Sequence, residues 1–241
     1  MLEKFKVFRK APASKHIMSG INSYGEQLSE SDFLGNKHRD LIGGKWDEIG
    51  QLQFDFLLAQ GLQPHNTLLD IGCGCLRGGI HFIKYLETGN YYGLDVNASL
   101  IKAAKREIKL AQLNDKQPHL LITDRFEIDQ FQQQFDFMVS ISLFTHLPMN
   151  IIIRCMSEVH KHLTSNGKYY ATFFVAPNSA HTAEITHHPG EMTTYYDSDP
   201  FHYSLEEISF MARLAGLKVN LIEEWQHPRN QQMLEFNLDI G

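Results

Sequence analysis

Apolar and polar positions alternate in a regular rhythm from residue 67 onward. The short apolar runs "TLLDIG", "NYYGLDVN", "HLLITD", "FDFMVSIS" and "KYYATFFVA" predict five strands. Segments with helical apolar spacing lie between most of them, including "GGIHFIKYLE", "ASLIKAAKREIKLAQL" and "MNIIIRCMSEVHKHL", the last expected to close at "SNG". Strands that alternate with helices predict a parallel sheet covered by helices on both faces.

The two ends of the chain depart from this rhythm. Near the C-terminus, "SLEEISFMARLAG" predicts a helix with a capping box from Ser204 to Glu207 and a stop at Gly216. The apolar stretches "LKVNLIEEW" and "QQMLEFNL" follow on either side of the polar turn "QHPRN". Because no helix fits between them, we expect an antiparallel strand pair at the sheet edge.

Upstream of the sheet, "KWDEIGQLQFDFLLAQGL" predicts an amphipathic helix that ends before Gly61 and Pro64. We therefore divide the chain into an N-terminal extension with a helical cap, residues 1–63, and a main α/β domain, residues 64–241. The predicted fold is a Rossmann-like, doubly wound sheet with an antiparallel C-terminal pair and a short N-terminal helical cap.

Composition narrows the classes of partner. The 241 residues carry a net charge of −6 and no run of Lys or Arg, which disfavours a nucleic-acid surface. The first twenty residues hold no apolar signal segment, and no apolar run is long enough to cross a bilayer. With three cysteines that cannot all pair with one another, a cytoplasmic protein without a membrane partner is expected.

The stretch "LLDIGCGCLRGG" carries the clearest chemical signal. Cys73 and Cys75 are one residue apart and no second cysteine pair exists, so we expect no metal. The dinucleotide fingerprint G-x-G-x-x-G fits at Gly72 and Gly74 but fails at Arg77, and no P-loop lysine follows. What remains is an acidic strand end, Asp70, followed by bare glycine backbone that lets a ligand approach closely.

This stretch resembles motif I of the class I S-adenosylmethionine-dependent methyltransferases, as "D-I-G-C-G". The resemblance implies S-adenosylmethionine as cofactor and a seven-stranded sheet whose last strand is reversed. In that family the acid at the end of the second strand, here Asp95, holds the ribose hydroxyls, and the end of the third strand holds the adenine. "FDFMVSISLFTHL" resembles motif IV. The residues expected to bind the cofactor are Trp46, Asp70, Gly72, Cys73, Gly74, Arg77, Asp95, Val96, Asp124, Arg125, Phe126 and Ser140.

Some of these assignments have structural alternatives. Asp95 is also placed to cap the helix that follows it. Arg77 is a candidate partner for the cofactor carboxylate or for an acidic side chain, Asp95 or Asp124. Trp46 is as well explained as an ordinary core residue.

His146, in "FTHLP", is the candidate catalytic base. It follows the fourth strand, where the catalytic loop of the similar enzymes lies, and an imidazole titrates near neutral pH. Its alternatives are a helix cap or packing beneath the cofactor. The long connection 177–204 is expected to form part of an acceptor pocket, with an ordinary surface loop as the alternative. Its candidate lining residues are Tyr195, Tyr196, Phe201, His202 and Tyr203.

The resemblance predicts an enzyme that transfers a methyl group to an oxygen or nitrogen atom of a small molecule. The N/D-P-P-Y/F signature of enzymes that methylate adenine or glutamine amides is absent, and the acidic charge also argues against nucleic acid. Two alternatives remain open: a protein side-chain methyltransferase, and a non-catalytic cofactor-binding module that regulates a partner. The sequence names neither the acceptor nor the oligomeric state.

Overall fold

A computed structural model describes residues 27–223 and 225–239. The main strands of this part are β1 Leu68–Ile71, β2 Tyr91–Asp95, β3 His119–Ile122, β4 Phe135–Ser140, β5 Leu163–Ala176, β9 Leu217–Ile222 and β10 Gln232–Leu238. They form one sheet in the order β3-β2-β1-β4-β5-β10-β9, and β8 His202–Ser204 pairs with β5 as an eighth strand. Strands β1 to β5 are parallel, and β10 runs antiparallel to both of its neighbours. The predicted Rossmann-like fold is confirmed.

Helices cover both faces of this sheet. The described part of the cap, from residue 27 on, contributes three helices, α1 Glu30–Leu34, α2 Lys37–Leu41 and α3 Trp46–Ala59. The sheet domain contributes four, α4 Gly79–Tyr85, α5 Ala98–Leu110, α6 Met149–His162 and α7 Leu205–Leu214. Among the residues described, no helix is long and apolar enough to cross a membrane.

The core lies in two main layers, one on each face of the sheet. Neighbouring residues of a strand point to opposite faces, so Leu69 packs into the layer that includes residues of α6 and α7. Leu68 packs into the other layer, with residues of α3, α4 and α5. Both residues are fully buried, as expected for the first strand at the centre of a parallel sheet.

The junction between α6 and β5 differs from the prediction. The "SNG" segment was expected to close the helix as a loop, but β5 already begins at Leu163. A shift in the pairing register between β4 and β5 absorbs the extra residues. Gly167 permits this irregularity, since a Cβ atom there would lie 2.9 Å from the Phe135 carbonyl oxygen.

The C-terminal elements agree with the predictions. Ser204 and Glu207 form the reciprocal capping box of α7. Strands β9 and β10 pair antiparallel, from Met233 opposite Ile222 to Leu238 opposite Leu217. Strand β10 lies between β5 and β9, so of these two C-terminal strands β9 is the one at a sheet edge.

The cap is attached to the sheet domain through a buried carboxylate. Glu107 of α5 accepts hydrogen bonds from His38 Nε2 at 2.7 Å and from Arg39 Nε at 2.9 Å and Nη2 at 2.8 Å. These contacts join α2 to α5. Residues 1–26 of the predicted extension lie outside the described residues, and the proposed boundary at residue 63 stays a prediction.

The segment 177–204 contains regular structure that was not predicted. Strands β6 Ile185–His187 and β7 Met192–Thr194 form a hairpin, and β8 His202–Ser204 pairs parallel with β5. Phe201 and Tyr203 lie in the core. Phe201 N donates to the Thr145 carbonyl at 2.7 Å, and Tyr203 Oη donates to the Leu147 carbonyl at 2.6 Å. The segment is therefore fastened to the loop that follows β4.

Candidate functional site

A pocket with an empty volume of about 980 Å³, open solvent included, lies at the carboxyl ends of the parallel strands. The sheet order reverses between β1 and β4, the topological switch point where open α/β sheets bind ligands. The structure brings ten of the predicted site residues to this pocket. They are Asp70, Gly72, Cys73, Gly74, Arg77, Asp95, Val96, Asp124, Phe126 and His146.

The loop after β1 exposes backbone to the pocket because of its glycines. Gly72 and Gly74 have φ values of +78° and +53°, in the left-handed region that favours glycine. A Cβ atom on Gly72 would lie 3.0 Å from Leu143 Cδ1, and one on Gly74 would lie 3.2 Å from Ile42 Cγ2. Side chains at these two positions would therefore strain the turn and narrow the pocket.

Asp95 connects the ends of β1 and β2. Its Oδ2 accepts the Gly74 amide at 2.9 Å and its Oδ1 accepts the Asn97 amide at 2.8 Å. The capping alternative does not describe this residue, because the Asn97 side chain is the N-cap of α5. Burial raises the pKa of Asp95 above its ordinary value. A buried carboxylate that lines a pocket suits a ligand that donates hydroxyl hydrogen bonds.

Burial raises the pKa values of both Asp70 and Cys73. Tyr91 Oη donates to Asp70 Oδ2 at 2.8 Å, and burial raises the pKa of Asp70 to about 7. Burial also raises the pKa of the Cys73 thiol well above its usual range, so this side chain is a neutral thiol. Within the described residues, no group of three His, Cys, Asp or Glu side chains is arranged to hold a metal ion.

Arg77 is held by the cap. Its Nη1 donates to the carbonyls of Ile42 and Gly44, both at 3.0 Å, and the side chain lines the pocket. The guanidinium thereby fastens the turn before α3 over the glycine loop. Pairing with the cofactor carboxylate stays a prediction.

His146 lies on the loop after β4, in the short 3₁₀ helix Phe144–His146. Its Nδ1 is hydrogen-bonded to Asp199 Oδ1. Because a carboxylate oxygen accepts, Nδ1 carries the proton, and Nε2 is the basic nitrogen of the neutral ring. Both side chains are about four-fifths buried, with 20% and 19% of their surface exposed. This arrangement of a base and an orienting carboxylate recurs in enzymes that remove a proton from a hydroxyl.

Comparison with known proteins supports the chemistry that this geometry allows. The family model described as a methyltransferase domain matches residues 69–169, from β1 into β5. Residues 69–169 are a methyltransferase domain. The predicted resemblance to the class I S-adenosylmethionine-dependent methyltransferases is confirmed by this match together with the fold. The methyltransferase activity and the cofactor expected from the sequence are those of this family.

Several solved structures share the fold of this chain. An S-adenosylmethionine-dependent methyltransferase from Clostridium acetobutylicum has a TM-score of 0.62 at 11% identity, over 87% of this chain and 99% of that one. The magnesium protoporphyrin IX methyltransferase of Synechocystis, solved with S-adenosylmethionine, has a TM-score of 0.58 at 14% identity, over 94% and 99%. The CcbJ methyltransferase of Streptomyces caelestis has a TM-score of 0.63 at 15% identity, over 90% and 98%.

The residues that line the pocket fit S-adenosylmethionine. The bare backbone at Gly72 and Gly74 leaves room that a Cβ atom would fill. Asp95 presents a buried carboxylate, and Phe126, 8% exposed, adds an aromatic wall.

Three predicted cofactor residues do not line this pocket. The Trp46 ring lies beneath the Arg39 guanidinium, whose Cζ atom is 4.3 Å from the ring centroid. Trp46 packs against a hydrophobic cluster, which matches the alternative of an ordinary core residue. Ser140 is fully buried and accepts the Tyr169 hydroxyl at 2.8 Å, because the alternation of β4 directs it into the core. Arg125 is half exposed, and its Nε lies 4.0 Å from Asp124 Oδ1.

The candidate acceptor residues of segment 177–204 also lie elsewhere. None of Tyr195, Tyr196, Phe201, His202 and Tyr203 is among the residues that line the described pocket. His202 is fully buried and shares the Thr194 hydroxyl with His187, at 2.7 and 2.8 Å. The contacts of His202, Thr194 and His187 hold the segment together, and Asp199 of the same segment contacts the pocket residue His146.

The sequence analysis missed several pocket residues. Ile42 and Gln53 come from the cap, and others come from loops at the strand ends, among them Thr123, Ile141, Ser142, Leu143 and Leu147. Gln53 had a detectable signal, since it interrupts an apolar stripe of α3 between Ile49 and Leu57. Asp199 had none, because its contact with His146 joins residues 53 positions apart.

Proposed function

We propose that this methyltransferase transfers a methyl group from S-adenosylmethionine to a hydroxyl oxygen of a small molecule, with His146 as the general base. The observation that carries the proposal is the hydrogen-bonded pair of His146 and Asp199 at the wall of the pocket. An amine acceptor needs only its neutral form and a thiol needs little help, whereas a hydroxyl acceptor needs a base.

Bound S-adenosylmethionine would supply a methyl group already activated by its sulfonium, and its sulfur would keep the electron pair of the methyl–sulfur bond when the acceptor oxygen takes the methyl group. The residues of the chain bind the cofactor and orient it toward the acceptor. Asp95 is placed to accept the ribose hydroxyls, and Phe126 and Asp124 flank the proposed adenine site. Holding both reactants in line supplies much of the acceleration expected of such an enzyme.

His146 accepts the proton that the acceptor hydroxyl loses. Asp199 fixes the tautomer, so that Nε2 is the nitrogen that receives this proton. The carboxylate also stabilises the imidazolium that results, as an orienting acid does in other His–Asp pairs. The backbone bond from Phe201 N to the Thr145 carbonyl, at 2.7 Å, keeps the two loops in register.

A compact acceptor with an apolar body is favoured by the lining of the pocket. Ile141, Leu143 and Leu147 line it on the same loop as His146. Two of the structures with this fold act, by their names, on magnesium protoporphyrin IX and on a glycopeptide. These names support a small-molecule acceptor over a protein side chain.

The test uses radiolabelled methyl donor, the purified full chain and a cell extract separated into small-molecule and protein fractions. We expect label in the small-molecule fraction, in a product with an O-methyl group by mass spectrometry. His146→Ala should lower the initial rate by about 10²- to 10⁴-fold, the usual contribution of a general base. The affinity for S-adenosylhomocysteine, measured by calorimetry, should stay within about threefold of wild type.

Other outcomes separate the alternatives. Label in the protein fraction alone would favour a protein methyltransferase. Tight cofactor binding with no labelled acceptor in either fraction would favour a regulatory module. Parallel losses of rate and cofactor affinity in His146→Ala would show that the histidine is structural.

A further inference from the structure

Gln53 is a polar residue on the buried face of the cap helix α3. Ile49 and Leu57, four residues before and after it, are 0% and 1% exposed, and Gln53 itself is 6% exposed. Residues four apart lie on one face of a helix, so an apolar residue would be expected between these two. Unlike them, Gln53 lines the pocket.

The position of Gln53 follows from close packing of α3 on the loop after β1. A Cβ atom on Gly50 would lie 2.5 Å from the Arg77 carbonyl oxygen, so glycine lets the helix approach this backbone. A Cβ atom on Gly78 would lie 2.0 Å from Gln53 Oε1. Gly78 has an ordinary φ of −83°, so glycine serves there to leave space for the carboxamide.

The carboxamide of Gln53 is without a hydrogen-bond partner among residues 27–223 and 225–239. The amide atoms of Gln53 are not among the fully buried polar atoms without a partner in this part of the chain, so the carboxamide faces the open pocket. A nearly buried polar side chain that has no protein partner and faces a ligand pocket is expected to bind the ligand.

The surroundings of Gln53 indicate which part of the cofactor it meets. Asp95 and Phe126, at the ends of β2 and near β3, mark the proposed nucleoside site. Gln53, from α3, instead packs against the start of α4, beside Arg77 and Gly78. Asp70 is close by, since its partner Tyr91 Oη lies 2.5 Å from the Cβ position of Gly79. One cation, one acid and one amide complement a carboxylate and an ammonium group.

We propose that Gln53 binds the amino-acid tail of S-adenosylmethionine and makes the pocket selective for donors that carry that tail. The inference rests on the proposed cofactor site. The amide nitrogen donates to the tail carboxylate or the amide oxygen accepts from the tail ammonium. The cap helix thereby supplies part of the cofactor site, and cofactor binding and cap docking favour each other.

The experiment compares two ligands by titration calorimetry: S-adenosylhomocysteine, which has the tail, and 5′-methylthioadenosine, which lacks it. Gln53→Ala should weaken S-adenosylhomocysteine about 10- to 100-fold, the range expected for hydrogen bonds to a charged group. The affinity for 5′-methylthioadenosine should stay within about twofold. Gln51→Ala is the matched control, because this glutamine lies exposed on the same helix and pairs with Asp55 at 2.7 Å.

Two further variants guard against a folding effect. Gly78→Ala places a methyl group where Gln53 Oε1 lies and should reproduce the selective loss without altering the glutamine. Gln53→Met removes the amide at similar volume, so it should keep the midpoint of thermal unfolding while losing affinity for S-adenosylhomocysteine. If Gln53 had only a packing role, the midpoint of thermal unfolding and the affinity for S-adenosylhomocysteine would change together.

The outcomes distinguish this inference from the proposed function. Equal losses for both ligands, or no loss in Gln53→Ala, would overturn the role of Gln53 and leave the cofactor site standing. If the wild-type chain bound neither ligand, the cofactor site and the tail inference would both be wrong.

Discussion

Asp95→Asn tests the cofactor site through the residue that joins its two loops. The carboxylate accepts the Gly74 and Asn97 amides and is proposed to accept the ribose hydroxyls of the cofactor as well. Asparagine keeps the shape of the side chain, but it replaces one acceptor oxygen with an NH₂ group. That group must then face either a backbone N–H or a ribose hydroxyl.

The expected magnitude follows from the hydrogen bonds that change. A hydrogen bond to a charged group contributes about 1.5–3 kcal/mol, against about 1 kcal/mol for a neutral pair. The variant loses the charge on the remaining bonds and at least one acceptor. We expect a loss of about 2–3 kcal/mol in binding, which is roughly a 30- to 150-fold rise in the dissociation constant of S-adenosylhomocysteine.

The stability of the unliganded protein should respond differently. Burial raises the pKa of Asp95, which means that its negative charge costs free energy in the empty pocket. Asparagine removes that cost, so the free energy of unfolding should change by no more than about 1 kcal/mol.

Calorimetric titration and chemical denaturation measure the two quantities separately. Asp115→Asn, at an exposed site, is the control and should change neither. If Asp95→Asn bound S-adenosylhomocysteine within threefold of wild type, the assignment of Asp95 to the ribose would be refuted. Equal losses of affinity and stability would show that Asp95 only holds the loops.

Three further predictions concern the cap and the buried acid of β1. Gly50→Ala should weaken the binding of S-adenosylhomocysteine and destabilise the fold by about 1–3 kcal/mol, because its Cβ would meet the Arg77 carbonyl oxygen at 2.5 Å, even though alanine favours helices. Unchanged values in calorimetry and denaturation would contradict the close docking of α3. Glu107→Gln should cost about 3 kcal/mol of unfolding free energy, because it leaves the buried His38 and the partly buried Arg39 without a carboxylate. Glu158→Gln, whose partner Lys161 is exposed, should cost less than about 1 kcal/mol in the same denaturation assay. Burial raises the pKa of Asp70 from an ordinary value of 3.8 to about 7, so the folded state binds an extra proton between about pH 4 and 7. The unfolding free energy should therefore fall as pH rises through that window, by at most about 1.4 kcal/mol per pH unit, and Asp70→Asn should flatten this slope in denaturation at several pH values.

The sheet and its helices were predictable because they depend on local patterns. Apolar runs such as "TLLDIG" and the capping box at Ser204 are visible without any knowledge of contacts. Strand β8 was not predicted, because three residues within a polar segment carry no period, and their pairing with β5 is a long-range contact. The start of β5 was missed for a similar reason, since "SNG" is typical of a turn and the bulge that contains it depends on β4.

The site was predictable where the chain itself places residues at strand ends. Gly72, Gly74 and Asp95 follow β1 and β2 directly, and parallel strands bring these ends together. Side-chain direction was harder to predict. Ser140 and Ser142 flank the end of β4, but only Ser142, whose own φ of +58° redirects the chain, lines the pocket. Asp199 depends on how segment 177–204 folds back, which no local pattern determines.

A crystal structure of the chain with S-adenosylhomocysteine tests the central claim most directly. The account predicts the ligand across Gly72 and Gly74, with its ribose on Asp95, its adenine beside Phe126, its amino-acid tail at Gln53 and its sulfur on the side of His146. A ligand bound elsewhere, or no ligand in this pocket at a saturating concentration, would contradict it.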